Sequence, residues 1–146
     1  MMFHLYLIRP MLARNRRLTW KDISYITRKR YHFTAGFFSF MYVPQYPQRQ
    51  YNQFAVHVGV DIARQSVTRH RIKRIVMAYI STHHFTTQWY AGVYYKVFVT
   101  CTKAMAADWQ KLFAQTDKNT ISTTVIEQFT RSYLAFSQRL WHWPKK

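Results

Sequence analysis

The spacing of apolar residues changes several times along this chain, and each change marks an element. In TWKDISYITRKR, Trp20, Ile23 and Ile26 recur at helical spacing, while Thr19 and Asp22 have the T-x-x-D spacing that satisfies free N–H groups at a helix start. A helix of about two to three turns is predicted, ending near Arg28 to Arg30. Gly36 then precedes FFSFMYV, an aromatic, β-prone run from Phe37 to Val43 that stops at Pro44 and gives way to YPQRQYNQ, which has loop composition. The next run, QFAVHVGV, alternates: Phe54, Val56, Val58 and Val60 face one way, and Ala55, His57 and Gly59 the other.

Helical spacing returns in RQSVTRHRIKRIVMAYISTHH, where Ile72, Ile75, Val76 and Tyr79 share one stripe. YYKVFVTCT alternates again, with Tyr95, Val97, Val99 and Cys101 on one face and Tyr94, Lys96, Phe98 and Thr100 on the other. AMAADWQKLFAQ and a longer segment from Thr123 to Leu140 read as helices, the latter with Val125, Ile126, Phe129, Tyr133, Phe136 and Leu140 on its apolar side. The order of the principal elements is helix, strand, strand, basic helix, strand, helix. That order describes one α+β domain, and 146 residues with 49% hydrophobic side chains suffice for one core.

Charge adds a partner to this picture. Lys and Arg number 22 against five acids, a formal net charge of +17, and the resulting field favours polyanions such as nucleic acid. Arg64, Arg69, Arg71, Lys73 and Arg74 fall together on the helix described above with no acid among them. A solvated face usually mixes signs, so an anionic partner explains the run better. On the strand faces the readings stay open. His57 either contacts a ligand or is solvated, and the Tyr94, Lys96 and Phe98 face is either a stacking surface for unpaired bases or ordinary packing.

Candidate chemistry narrows the function further. The sequence has no Gly-rich phosphate loop and no H-E-x-x-H, and five scattered acids do not suggest a two-metal nuclease centre. The adjacent His83 and His84 diverge on a helix and make a weak metal pair. No catalytic or metal-ligating residue is therefore expected in this chain. The lone Cys101 cannot form an internal disulfide and sits in an apolar alternation, which fits a buried strand residue in a reducing compartment. No apolar run approaches the ~20 residues of a membrane span. Residues 1–10 read as an N-terminal extension or an organelle-targeting leader, residues 11–140 as the domain, and 141–146 as a basic tail.

Arg69-His70-Arg71-Ile72-Lys73-Arg74 resembles the R-N-R-x-K-R signature of the bacterial ribonuclease P protein subunit, and MLARNRRLTWKDISYI resembles that family's opening. The V-x-V strand before the signature, the late apolar strand and the C-terminal helix extend the similarity over roughly Met11 to Leu140. The resemblance implies a two-layer sandwich of order α-β-β-α-β-α, whose mixed sheet has a left-handed βαβ crossover like that of a ribosomal-protein domain. It also implies a cytoplasmic protein that helps a catalytic RNA, carrying Mg²⁺, to remove the 5′ leader of precursor tRNA.

On that basis Arg69, His70, Arg71, Lys73 and Arg74, with Arg64, Arg16 and Arg17, are expected at the ribonuclease P RNA. His57, Tyr94, Lys96 and Phe98 are expected in a cleft for the single-stranded leader, beside the first helix. Neither a membrane nor a small-molecule substrate is expected.

Departures from the family pattern are His70 in place of the signature asparagine, Val60-Asp61-Ile62 where a Lys-Lys pair is usual, Met77-Ala78 where Arg-Glu often follows, and Ile23 where the first helix usually carries an aromatic. Ile23 and Asp61 imply weaker stacking and weaker attraction for the leader. A small ribosomal or assembly protein using the same basic helix is the main alternative, and a membrane-surface protein the more distant one.

Overall fold

The computed structural model describes residues 12–29, 31–88, 92–114 and 118–141. The expected N-terminal extension, residues 1–10, lies outside the described residues, as do Met11 and, of the basic tail, residues 142–146. Helix α1 spans Trp20–Lys29, followed by β1 (His32–Ala35), β2 (Phe38–Pro44), β3 (Gln53–His57), α2 (Ser66–Thr82), β4 (Tyr95–Cys101), α3 (Ala106–Phe113) and α4 (Lys118–Trp141). The capping pair forms as its spacing predicts: the Asp22 N–H donates to Thr19 Oγ1 at 3.2 Å, and the Thr19 N–H returns a bond to Asp22 Oδ2 at 3.0 Å.

The strands form one mixed sheet in the order β1-β2-β4-β3, with β2 antiparallel to β1 and β4, and β3 parallel to β4. The connection between the parallel pair is α2. Strand β1 was not anticipated, and it makes the element order α-β-β-β-α-β-α-α. It pairs Ala35 with Phe38 across a two-residue turn of Gly36 and Phe37, where Gly36 takes φ of 63°, the pattern of a hairpin with glycine at the first turn position. Phe37 thus belongs to the turn rather than to a strand. Segment 12–18 lies along the outer edge of β3, with an isolated parallel bridge between Arg17 and Phe54 and a bond from Leu18 N–H to the Phe54 carbonyl at 3.1 Å. That strand edge is therefore covered.

Alternation sorts the sheet into two faces. Phe38, Phe40, Tyr42, Phe54, Val56, Tyr95, Val97, Val99 and Cys101 point into the core with Val125, Phe129, Tyr133, Phe136 and Leu140 of α4 and Ile72, Val76 and Ile80 of α2. The packing is aromatic: the rings of Phe40 and Phe136 stack with centroids 4.4 Å apart, and Trp109 of α3 meets Phe38 edge-on at 5.5 Å. Burial pushes the Cys101 thiol up to about 12, which leaves it a packing residue. Some expected core positions differ. Val60 is exposed because β3 ends at His57, and Ile75 and Tyr79 are half-buried at the flank of the α2 stripe, which continues to Ile80.

Asn52, fully buried, ties three segments together. Its amide donates to the Phe85 and Gln88 carbonyls at 2.8 and 2.7 Å, and its oxygen accepts the Tyr95 N–H at 2.7 Å. The Asn52 N–H also donates to the Thr86 carbonyl at 2.6 Å, so the segment after α2 and the start of β4 are both tied to this residue.

Candidate nucleic-acid interface

With Ile72, Val76 and Ile80 buried, 3.6 residues per turn places Lys73, His70, Arg74 and Arg71 in that order around the outside of α2, over an arc of roughly 160°. Lys73, His70 and Arg74 are exposed and Arg71 is half-buried. No acid lies in the first turn, so nothing on the helix offsets this field. Arg64 is exposed in the preceding loop. Arg69 is different: its Nη1 donates to the Ala63 carbonyl at 2.9 Å and the Arg64 carbonyl at 2.7 Å, so the side chain folds back over the loop that leads into the helix. The sequence placed Arg69 with the outward residues, whereas the geometry gives it a role in shaping the turn.

The opposite face of the sheet carries a groove of about 400 Å³. Ala55, His57 and Phe98 form its floor, Leu18, Trp20 and Ile23 one wall, and Lys73 and Met77 of α2 the other, with Arg17 at the rim. Arg17 and Lys73 are its charged lining residues, and no carboxylate lines it. The His57 and Phe98 rings lie 6.4 Å apart. Trp20 is 84% exposed here, an aromatic residue that sequence reasoning assigned to the apolar stripe. The signal was present, because at 3.6 residues per turn Trp20 lies about 120° around the helix from the buried Ile26.

Lys96 and Tyr94, expected in this groove, lie elsewhere. Lys96 is buried, and its ammonium sits 2.6 Å from Asp22 Oδ1 and 4.0 Å from the centre of the Tyr46 ring. Burial of Asp22 works to raise its pKa, but hydrogen bonds from Lys96 and Thr19 and the Lys96 charge outweigh it, so the carboxyl titrates below its ordinary value. Tyr94 precedes β4 and lines a separate pocket with Tyr46 and Arg49. Arg16 stacks its guanidinium 3.7 Å from the Tyr51 ring centre and is not among the groove residues. Asp61 faces Lys103 at 3.6 Å in an exposed pair. Among the described residues no three His, Cys, Asp or Glu side chains gather where they could hold a metal ion.

The sequence model of the ribonuclease P family matches residues 11–123, a range that takes in the groove, the whole sheet and α2. The chain belongs to the ribonuclease P protein family. Membership makes it a ribonuclease P protein subunit and implies a ribonuclease P RNA as its partner. A search of curated proteins found no match. Among solved structures the chain is similar to the ribonuclease P protein of Staphylococcus aureus, with 13% identity and a TM-score of 0.61 over 83% of this chain and 94% of that one. It is also similar to the Thermotoga maritima protein, with 16% identity and a TM-score of 0.59 over 84% and 96%. The same Thermotoga protein in complex with 1-(4-fluorophenyl)-2-thiourea matches at 14% identity and a TM-score of 0.57, over 84% and 98%. These likenesses show the shared α+β fold. Among the described residues no helix is long and apolar enough to cross a membrane.

Proposed function

We propose that this subunit assists removal of the 5′ leader from precursor tRNA, with the chemistry carried by the RNA subunit and its Mg²⁺. The observation that supports this most is the pairing of two adjoining surfaces, a basic outer arc on α2 and a groove rimmed by Arg17 and Lys73. In this reading Arg71, Lys73, Arg74 and Arg64 neutralise phosphates of the ribonuclease P RNA. The groove takes the unpaired leader, its backbone drawn by Arg17 and Lys73 and its bases stacking on Trp20 and against Phe98 and His57. Base stacking on an aromatic side chain is worth about 1–3 kcal/mol per base.

The described side chains do not fit a protein-bound metal centre. What the chain contributes is affinity and position: cationic side chains lower the cost of bringing two polyanions together. Reconstitution with the cognate RNA tests this. Leader removal is expected to be stimulated most at low Mg²⁺, with the holoenzyme preferring precursor to mature tRNA more than the RNA alone does. Equal affinities for both tRNAs, with tight binding to ribosomal RNA and no stimulation at any Mg²⁺ concentration, would move the protein to a structural RNA-binding role.

A further inference from the structure

Helix α1 forms one wall of the groove yet is thinly anchored, because Ile26 is its one fully buried apolar residue and Ile23 is half-buried. Its other attachment is electrostatic. Asp22 Oδ1 meets the Lys96 ammonium at 2.6 Å, and the two side chains are 16% and 4% exposed. Asp22 Oδ2 accepts both the N–H and the hydroxyl of Thr19, at 3.0 and 2.9 Å. One carboxylate therefore fixes the start of the helix and docks it. Lys96 is a rigid post for it, since it sits within β4 between Val43 on β2 and Gln53 on β3. The Tyr46 ring closes over the ammonium at 4.0 Å.

Trp20 and Ile23, the wall residues, lie two positions before and one after Asp22. A shift of the carboxylate moves them directly. We propose that Asp22 and Lys96 are positioning residues, a charged clasp that sets where α1 stands over the sheet and so fixes the groove's width for a single strand. The proposal rests on the leader-binding reading of the groove. A buried ammonium on a sheet face is retained only when it is paired, and here the pairing serves the one helix that hydrophobic contact holds least.

Lys96→Met, Asp22→Asn and the double variant separate this role from bulk stability. The double variant carries neither charge, which protects the fold if Asp22→Asn alone strands the Lys96 ammonium. Hydrogen exchange on the free full-length protein reads α1, and reconstitution with ribonuclease P RNA reads its affinity and the preference for precursor over mature tRNA. All variants that fold are expected to exchange faster in α1 than elsewhere and to keep their affinity for the RNA subunit. They are expected to lose precursor preference by on the order of tenfold, as when one wall of a site is misplaced. Lys96→Met breaks the clasp and leaves the Thr19 cap on Asp22 in place, so it should show the loss by itself, and the double variant, which also replaces the capping carboxylate by an amide, should lose at least as much.

Unchanged α1 exchange in the double variant would overturn the proposal, as would faster exchange with full precursor preference. If wild-type protein shows no precursor preference, the leader reading fails by itself. The clasp then stands or falls on α1 exchange alone.

Discussion

Changing Arg71, Lys73 and Arg74 together to Ala removes three cations from the outside of α2 while leaving Ile72, Val76 and Ile80 in the core. Each phosphate neutralised contributes roughly 0.7–0.9 to the slope of log affinity against log salt, so the triple variant should flatten that slope by about 2–3. Over a tenfold range of salt, a slope change of that size amounts to a loss of about 100- to 1000-fold in affinity for ribonuclease P RNA at the low-salt end, or about 3–4 kcal/mol. Stability should move little, because Lys73 and Arg74 are exposed and the half-buried Arg71 lies off the core stripe, and surface substitutions away from special features each stay within roughly 0.5 kcal/mol.

Arg69→Ala should behave in the opposite way, since its guanidinium is spent on the Ala63 and Arg64 carbonyls. Losing those bonds, one of them at an exposed site, should cost about 1–2 kcal/mol of stability while changing the salt slope little. Fluorescence anisotropy with labelled RNA across a KCl series, beside urea unfolding of each variant, measures both quantities. If Arg69→Ala flattens the slope by one residue's share of the triple variant's change and leaves stability unchanged, the division of this helix into an inner and an outer set of basic residues is wrong.

Two further outcomes concern the frame of the site. Asn52→Ala removes the partner of two carbonyls and one N–H, so urea unfolding should show a loss of about 3–5 kcal/mol, with the RNA-binding salt slope of the remaining folded protein unchanged. Asp22 has a depressed pKa when folded, so its contribution to stability is fully present above the unfolded-chain value of about 4 and is lost as pH falls through the lower folded value. Unfolding curves between about pH 5 and pH 2 should therefore fall more steeply for wild type than for the Asp22→Asn, Lys96→Met double variant.

The parts of the fold legible in the sequence were those where burial imposes a strict period. Phe54, Val56 and Val58 alternate because one face of β3 is core, and the α2 stripe repeats because that helix lies on the same core. Strand β1 was not legible. His32-Phe33-Thr34-Ala35 is a short edge strand alternating between exposed and half-buried residues, so burial imposes no strong apolar pattern on it, and its signal was the turn glycine alone. Lys96 was assigned to the correct face of β4, but its partner Asp22 lies 74 residues away, and no local pattern carries that distance. Tyr94 was misplaced because alternation was extended one residue beyond the start of β4, where the chain has not yet entered the pleat.

The family departures look less costly once they are placed in space. Ile23 does take an aromatic out of the first helix, but Trp20 stands one turn earlier on the same groove wall with most of its indole exposed. Stacking area is thus shifted along the helix rather than lost. Asp61 brings a negative charge to the loop after β3, yet it faces Lys103 and is absent from the groove lining, whose charged members are Arg17 and Lys73. His70 interrupts the signature but lies on the outer arc between Lys73 and Arg74, where an imidazole ring can still form hydrogen bonds to an RNA backbone. What governs attraction and stacking is the set of groups that converge on the groove, and these departures, spread along the chain, leave that set cationic at Arg17 and Lys73 and aromatic at Trp20 and Phe98.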